Sequence, residues 1–362
     1  MSMRRAIFLI LALAFLPLRR LAAETVCGPV RVAAPSAVTA GLDQVAVETE
    51  VCNQVNSKFQ TGNFSGILSY MAKAQSVASA GRVADYASNM TVFSLGAGTT
   101  VAVSNVGLPT SSGDLDALNK RLSSATVPDL GSGFSASATL GVSLRTTNLR
   151  RRGFFDPKKL NIYLSFFVLP TLAYSGYTIN MTSGSLYLQY KLLQPRRVPL
   201  ALLTWGGLDL GLGYTYASSK FVAASTDKLA SISFVYNSQN ILYEPSGSLS
   251  VAYTTHVIPL ELSTNVSLLH FLSLVVGAAA DFHLLAQADL TADVSGAVKV
   301  GGFTTTGDYA RFNTTETGRA EAVVLRAFGG PQFNIWKVRV FTLVHATNNQ
   351  TYGLTMGARF TW

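Results

Sequence analysis

Tyr352, Leu354, Met356, Ala358, Phe360 and Trp362 share one parity of the last eleven residues. Gly353, Thr355, Gly357, Arg359 and Thr361 share the other. A period of two belongs to a strand whose two faces differ. Apolar-out, polar-in alternation over about 10 residues is what a strand facing lipid from a closed barrel requires. The pattern recurs upstream and predicts ten strands: Met90–Ser104, Ser132–Arg145, Leu160–Leu169, Ser183–Leu193, Leu200–Ala217, Gly247–Leu268, Leu272–Gln287, Arg319–Phe333, Lys337–Ala346 and Gln350–Trp362. The expected fold is an all-β membrane protein, an antiparallel up-and-down transmembrane β-barrel over residues 90–362 with a small helical segment before it.

In the strand Gly247–Leu268 the apolar parity changes. Leu249, Val251 and Tyr253 are odd-numbered, whereas Leu260, Leu262, Val266 and Leu268 are even. A one-residue bulge near Ile258-Pro259 would restore the phase, since bulges insert one residue and tolerate proline. Two short strands with a turn at Val257–Leu260 would do so too, but the bulge keeps the strand number even. Long connections (105–131, 173–182, 218–246 and 288–318) then alternate with short ones (146–159, 194–199, 269–271 and 334–336). Outer-membrane barrels combine long outer loops with short periplasmic turns. Trp205, Trp336, Phe360 and Trp362 fall at the short-turn end and Tyr214, Tyr216, Tyr253 and Tyr352 at the other, where interfacial aromatic girdles belong.

The stretch Tyr352–Trp362, with its terminal aromatic residue, resembles the carboxyl-terminal assembly signal of outer-membrane β-barrel proteins of diderm bacteria. The resemblance covers roughly residues 90–362. It implies an outer-membrane location, outer-membrane lipid and the barrel assembly machinery as partners, and Tyr352, Leu354, Met356, Phe360 and Trp362 as the signal. The opening strand Phe93-Ser-Leu-Gly-Ala-Gly98, after a helical lead, resembles spirochaete surface-protein barrels.

The amino terminus is built differently. Arg4 and Arg5 precede an uncharged run from Ala6 to Leu16, and Arg19, Arg20 and Leu21-Ala22-Ala23 follow. A basic start, a short apolar run and a small-residue exit make a signal peptide, expected over residues 1–23. Eleven apolar residues fall short of the roughly 20 a spanning helix needs. Its loss lowers the formal charge from +9 to +5. In residues 24–89, Leu42, Val51, Val55 and Phe59 suit one helical face, and 65–88 is alanine-rich with Leu68, Met71, Ala72, Val83 and Tyr86 at mixed helical spacing. This segment either plugs the barrel or sits beneath it in the periplasm. The chain has two cysteines, Cys27 and Cys52. In an oxidising compartment they are expected to pair, closing a loop worth roughly 3 kcal/mol; the alternative is two free structural thiols.

Composition fits this picture: 13% of residues are charged, against about 25% in soluble proteins. Arg150, Arg151, Arg152, Lys158 and Lys159 form a basic short turn, joined by Arg196 and Arg197. Such clusters suit anionic headgroups; a solvated charge run is the other reading. No fold or aromatic platform for nucleic acid accompanies them. Asp281 and His283 fall on the lumen parity, with Arg326, Arg339 and Arg359 as candidate ion-pair partners, because charges are rarely buried alone. With Asp114 and Asp116 in the first outer loop, Asp281 and His283 also resemble the catalytic arrangement of omptin proteases, which are ten-stranded barrels; that resemblance implies proteolysis as a remote alternative. His256, His270, His283 and His345 show no zinc spacing, and no phosphate loop or Gly-x-Ser-x-Gly elbow occurs. The chain is therefore expected to be no enzyme and to carry no cofactor. Two functions remain open: display of long loops that bind an extracellular ligand, or a restricted pore for small solutes. Interiors near this strand number are filled by side chains, and open channels use about 16–18 strands, which favours display.

Overall fold

The computed structural model describes residues 31–34, 37, 40–59, 64–81, 84–87, 90–105, 130–147, 155–174, 176–197, 203–225, 231–268, 271–302 and 309–362. The expected signal peptide, Cys27, Asp114, Asp116, Arg150, Arg151, Arg152 and His270 lie outside them. The elements are β1 (Arg31–Ala33), α1 (Gln44–Phe59), α2 (Phe64–Ala80), β2 (Phe93–Ser104), β3 (Gly131–Ser143), β4 (Leu160–Tyr174), β5 (Tyr177–Leu193), β6 (Arg196–Arg197), β7 (Leu203–Ser225), β8 (Ile232–Tyr236), β9 (Gln239–Leu268), β10 (Leu272–Val300), β11 (Tyr309–Arg319), β12 (Val323–Ile335), β13 (Val338–Thr347) and β14 (Thr351–Thr361).

Ten of these close a ring in the order β2-β3-β4-β5-β7-β9-β10-β12-β13-β14, with β14 pairing back onto β2. All neighbours are antiparallel, and the ten strands are the ten that the alternation predicts. Closure matters because a strand edge in lipid would leave backbone groups unpaired. Leu95, Leu140, Leu164, Phe166, Leu274, Leu325 and Met356 stand exposed on the outside, while Thr139, Gln189, Ser273 and Thr355 are buried inside. The first and last ring strands meet at one end, where the Val92 N–H donates to the Trp362 carbonyl at 2.7 Å and the Phe93 and Trp362 rings stack. This end also carries the tight Trp336–Lys337 turn, at which Trp336 has φ 54°. It is the periplasmic end by the rule that places short turns and barrel termini there.

At the other end the structure departs from the predicted loops. Residues 173–182 are mostly strand, because β4 and β5 meet at Tyr174↔Tyr177. Much of 218–246 and 288–318 is strand as well. β9 and β10 are 30 and 29 residues long and pair from Leu268↔Leu272 to Ile241↔Val300. A span needs only about 10 residues, so both strands continue far past the membrane. β8 pairs with the projecting part of β9, β11 with that of β10, and β1 with β11. β11 and β12 form one return path along β10, broken at 320–322. Among the described residues, the segments 218–246 and 288–318 are thus largely a folded sheet.

The expected bulge at Ile258-Pro259 is not in β9. The extra residue is Leu284 on β10, opposite the His256–Val257 step. Val251 and Tyr253 keep the inward parity of Val257 and Glu261. They are apolar because they pack on α2, beside Leu68, Phe64 and Met71, so Tyr253 is no girdle residue. On β10 the bulge flips the parity. Below it Ser273, Asp281 and His283 are buried; above it Ala286, Ala288, Leu290, Ala292 and Val294 are buried. One inserted residue converts a polar lining into an apolar one.

Two helices use that apolar lining. Val47 and Val51 of α1, with Ala34 and Ala37, pack on Ile241, Tyr243, Val294, Val298 and Val300 of the projecting sheet. Leu68 and Ala72 of α2 then meet Ala288 and Leu290, and further down Ala74, Val77 and Ala78 meet Ala102. α2 therefore enters the ring from the outer end. Its 17 residues span about 25 Å at 1.5 Å per residue. The helix stops at Ala80, short of the 65–88 expected from composition, and Gly81 lies against Thr100 and Thr355 inside the barrel. Cys52 sits in α1.

Candidate functional site in the barrel lumen

Below α2 the chain continues inside the ring as irregular backbone, and the barrel wall supplies its hydrogen bonds. Arg359 of β14 donates to the Ala84 carbonyl, to Asp85 Oδ1 at 3.0 Å and to Gln332. Gln189 Nε2 of β5 donates to the Asp85 carbonyl at 3.2 Å, and Asn265 Nδ2 of β9 to the Tyr86 carbonyl at 2.8 Å. The Asp85 carboxylate in turn accepts the Ala87 and Met90 N–H groups. Buried backbone polar groups must be paired, and here side chains from three strands do it.

A second group holds the middle of the lumen. Arg326 of β12 is fully buried. It forms a two-point pair with Asp281, Nε to Oδ2 at 2.7 Å and Nη2 to Oδ1 at 3.1 Å, and bonds Glu261 Oε1 at 2.8 Å. The other Glu261 oxygen accepts the hydroxyls of Tyr187 at 2.7 Å and Tyr86 at 3.0 Å. Arg326 Nη1 also lies 3.2 Å from His345 Nδ1. Arginine can only donate, so Nδ1 accepts and the proton sits on Nε2, which donates to Thr355 Oγ1 at 2.8 Å. Thr355 reaches Thr100 at 2.8 Å. Tyr86, Tyr163, Tyr187, Phe328 and Phe341 pack around these groups with Ala84 and Met90.

The five residues singled out in the sequence do not form one cluster. Asp281 and Arg326 are together, and Arg359 belongs with Asp85. Arg339, at the periplasmic end, donates instead to the Trp336 and Val338 carbonyls. His283 Nδ1 lies 2.6 Å from the Glu321 carbonyl, so its partner is a backbone oxygen rather than an arginine pair. Glu261 and Asp85 went unnoticed. Glu261 had a signal, a charge at inward parity between Leu260 and Leu262; Asp85 had none, because the 65–88 stretch reads as helix whereas the helix ends at Ala80. Tyr352, Leu354, Met356 and Phe360 lie along β14 and Trp362 directly follows it, with Leu354, Met356 and Trp362 exposed. Among the described residues no group of His, Cys, Asp or Glu could hold a metal ion.

A cavity between Ser79, Gly81 and the serines of β3, β4 and β5 measures about 20 Å³, room for roughly one water.

A closed antiparallel ring with an apolar exterior, barrel termini at the short-turn end and a packed polar interior defines an outer-membrane β-barrel protein. More particularly, the family model described as Lsa36-like matches residues 20–362, so the chain belongs to the Lsa36-like family, a spirochaete surface-protein family. No curated protein matches it significantly. Among solved structures, the translocator domain of the autotransporter NalP from Neisseria meningitidis is 10% identical, covering 76% of this chain and 90% of that one at a TM-score of 0.27. Omp33 of Acinetobacter baumannii is 11% identical over 75% of this chain and 99% of its own, at 0.24. A major outer membrane protein of Thermus thermophilus is 13% identical over 62% and 98%, also at 0.24.

Proposed function

We propose that this chain is a surface-display protein: a barrel with an occupied lumen that anchors an outer head and binds an extracellular ligand through it. The head comprises β1, α1 and the projecting parts of β8 to β11. The observation that carries the reading is the occupied lumen, with α2 above and Ala84–Ala87 and Met90 below, fixed by Asp85–Arg359 and Tyr86–Glu261. A conducting pore would need a continuous water path, and a helix about 10–12 Å across fills a ten-stranded ring. The head also explains why β9 and β10 run so far beyond the membrane.

Single-channel recording in planar bilayers tests it. The full chain is expected to give no steady current. An Asp85→Ala, Tyr86→Ala double variant is expected to give intermittent openings as the lower segment loosens. A steady open state of the unaltered chain would replace this reading with the restricted pore.

A further inference from the structure

The wall of the barrel has a gap. β2 and β3 pair over their whole length, from Phe93↔Val142 to Ser104↔Gly131. β4 and β5 likewise pair up to Tyr174↔Tyr177. β3 and β4, by contrast, pair only from Ser143↔Asn161 to Ala138↔Phe166. Among the described residues no strand pairs with β3 on its β4 side from Gly131 to Ser137. Where β4 leaves β3 it carries Pro170 and a register shift against β5 between Leu169 and Leu172. Proline has no N–H to leave unpaired, so it is tolerated at strand edges and bulges.

An unpaired strand stretch at membrane depth costs several kcal/mol per exposed group, and the structure meets part of that cost from inside. Gln75 of α2 donates Nε2–H to the Phe134 carbonyl at 3.0 Å and accepts the Phe134 N–H at 3.1 Å. Its amide does what a neighbouring residue of β4 would do. Ser183 of β5 donates to the Ala136 carbonyl at 3.2 Å. Gly131 and Gly133 let α2 reach this edge, since a Cβ at either would collide with the backbone of Tyr70–Met71 or Ala74–Gln75.

Against the unpaired edge of β3 lies a cavity of about 330 Å³, walled by β2, β3, β5, β7, β9 and α2 and within the range of roughly 300–1,000 Å³ typical of ligand pockets. Its two sides come from opposite faces of the barrel. Val101 and Phe134 are outward-facing, 51% and 42% exposed. Ile179, Met181, Phe221 and Tyr253 carry the inward parity of Tyr187, Thr215 and Val257. A pocket with outer-face residues on one lip and inner-face residues on the other sits at the open edge of the wall. Lys220, on the outward parity of Tyr214 and Tyr216 and further toward the outer end, stands exposed at its rim.

We infer that this gap is a lateral binding site for one acyl chain of a phosphate-bearing membrane lipid. The lining is predominantly aliphatic and aromatic. The Gln75 amide is already engaged with the backbone, leaving Lys220 as the lining cation placed for a phosphate. The tail would run inward past Phe134 toward Met181 and Tyr253.

The test is photolabelling of the full chain in phosphatidylcholine nanodiscs doped with a phosphatidylglycerol that carries a diazirine at the end of one acyl chain. Lipid that only surrounds the barrel can label outward residues such as Val101, Leu274 and Val276. Occupation of the gap is expected to add adducts at the buried Met181 and at Tyr253. Met181→Trp or Ser219→Leu, each filling the cavity, should lower those adducts severalfold and leave Leu274 and Val276 labelling unchanged. Lys220→Gln should lower inner labelling by phosphatidylglycerol but not by a diacylglycerol with the same tail. Adducts confined to outward residues in the unaltered chain would overturn the proposal, as would inner adducts that persist undiminished in folded cavity-filling variants. Folding of each variant is read from the mobility of the unheated band.

Discussion

The lumen above Leu284 and the lumen below it solve one problem in two ways. In both, a stretch of the amino-terminal chain is packed inside a ring of strands. Above, that stretch is the helix α2, whose backbone groups are satisfied within itself. The wall it meets is accordingly apolar: Ala288 and Leu290 of β10, Val251 and Tyr253 of β9. Below, the stretch is irregular, and its carbonyls at Ala84, Asp85 and Tyr86 need donors. The wall supplies Arg359, Gln189 and Asn265. The chemistry of the wall thus follows the conformation of what it holds, and the Leu284 bulge is where β10 changes from one chemistry to the other.

The lower lumen is most sensitive at Arg326. Removing one partner of a buried ion pair strands the others, at about 3–5 kcal/mol. Arg326→Met leaves Glu261 and Asp281 in the lumen without their cation. The expected result is a loss of stability of that order, measured by urea unfolding of the refolded protein in micelles. A second experiment replaces all three with Arg326→Met, Glu261→Gln and Asp281→Asn. It should restore much of the loss, because the stranded charges are gone. If the triple variant were as unstable as the single one, packing rather than charge would be what Arg326 contributes.

The upper lumen is expected to respond to volume and not to charge. Leu68→Ala on α2 deletes a buried side chain facing Ala288 and Leu290, and such deletions cost about 2–5 kcal/mol. Because the helix can shift within an apolar sleeve and partly close the space, the lower end of that range is expected. Hydrogen exchange should show the loss confined to α2 and the projecting sheet, with the amides of β13 and β14 unaffected. A global loss would mean that α2 supports the ring as a whole and that the two regions are not separable.

How much of this was legible beforehand follows the same division. Wherever a strand has lipid on one side and a polar lumen on the other, as in β3, β10 below Leu284 and β14, alternation alone placed it. Where both faces of a strand are apolar or solvated, alternation fails. Val251 and Tyr253 looked out of phase because they face a helix, and 288–318 looked like loop because a sheet that projects from the membrane has no lipid to write a pattern. The lumen ion pairs were half visible. Asp281 and Arg326 sit at inward parity on their strands. Asp85 is held by contacts with Arg359, 274 residues away in sequence, which no local period records. The part played by Gln75 at the β3 edge is equally non-local, since it depends on where β4 stops pairing.

The smallest expected effect lies where the two regions meet, at the Lys73–Glu321 pair of 2.7 Å. Lys73 is on α2, and Glu321 is in the 320–322 break, where Asn349 also donates to its carboxylate. Partial burial raises the Glu321 pKa, but the hydrogen bonds from Lys73 and Asn349 outweigh it and hold the carboxyl below its usual range. A carboxylate depressed in the folded state contributes stability above its unfolded pKa, near 4.5, and that contribution drains away as pH falls through the lower folded value. Glu321 is nearly half exposed, so solvent screening limits the pair to about 0–1 kcal/mol. The hold of the ring on α2 should therefore slacken slightly below about pH 4.5. Hydrogen exchange in residues 64–80, compared between pH 7 and pH 4 with correction for intrinsic rates, should show that loosening in the native chain and not in Glu321→Gln. His283 bonds the Glu321 carbonyl, and imidazoles are the side chains that change charge in this interval, so both chains are best compared in a His283→Gln background. If the loosening survives Glu321→Gln there, the Lys73–Glu321 pair is not its source, and the boundary between the two regions is held by packing alone.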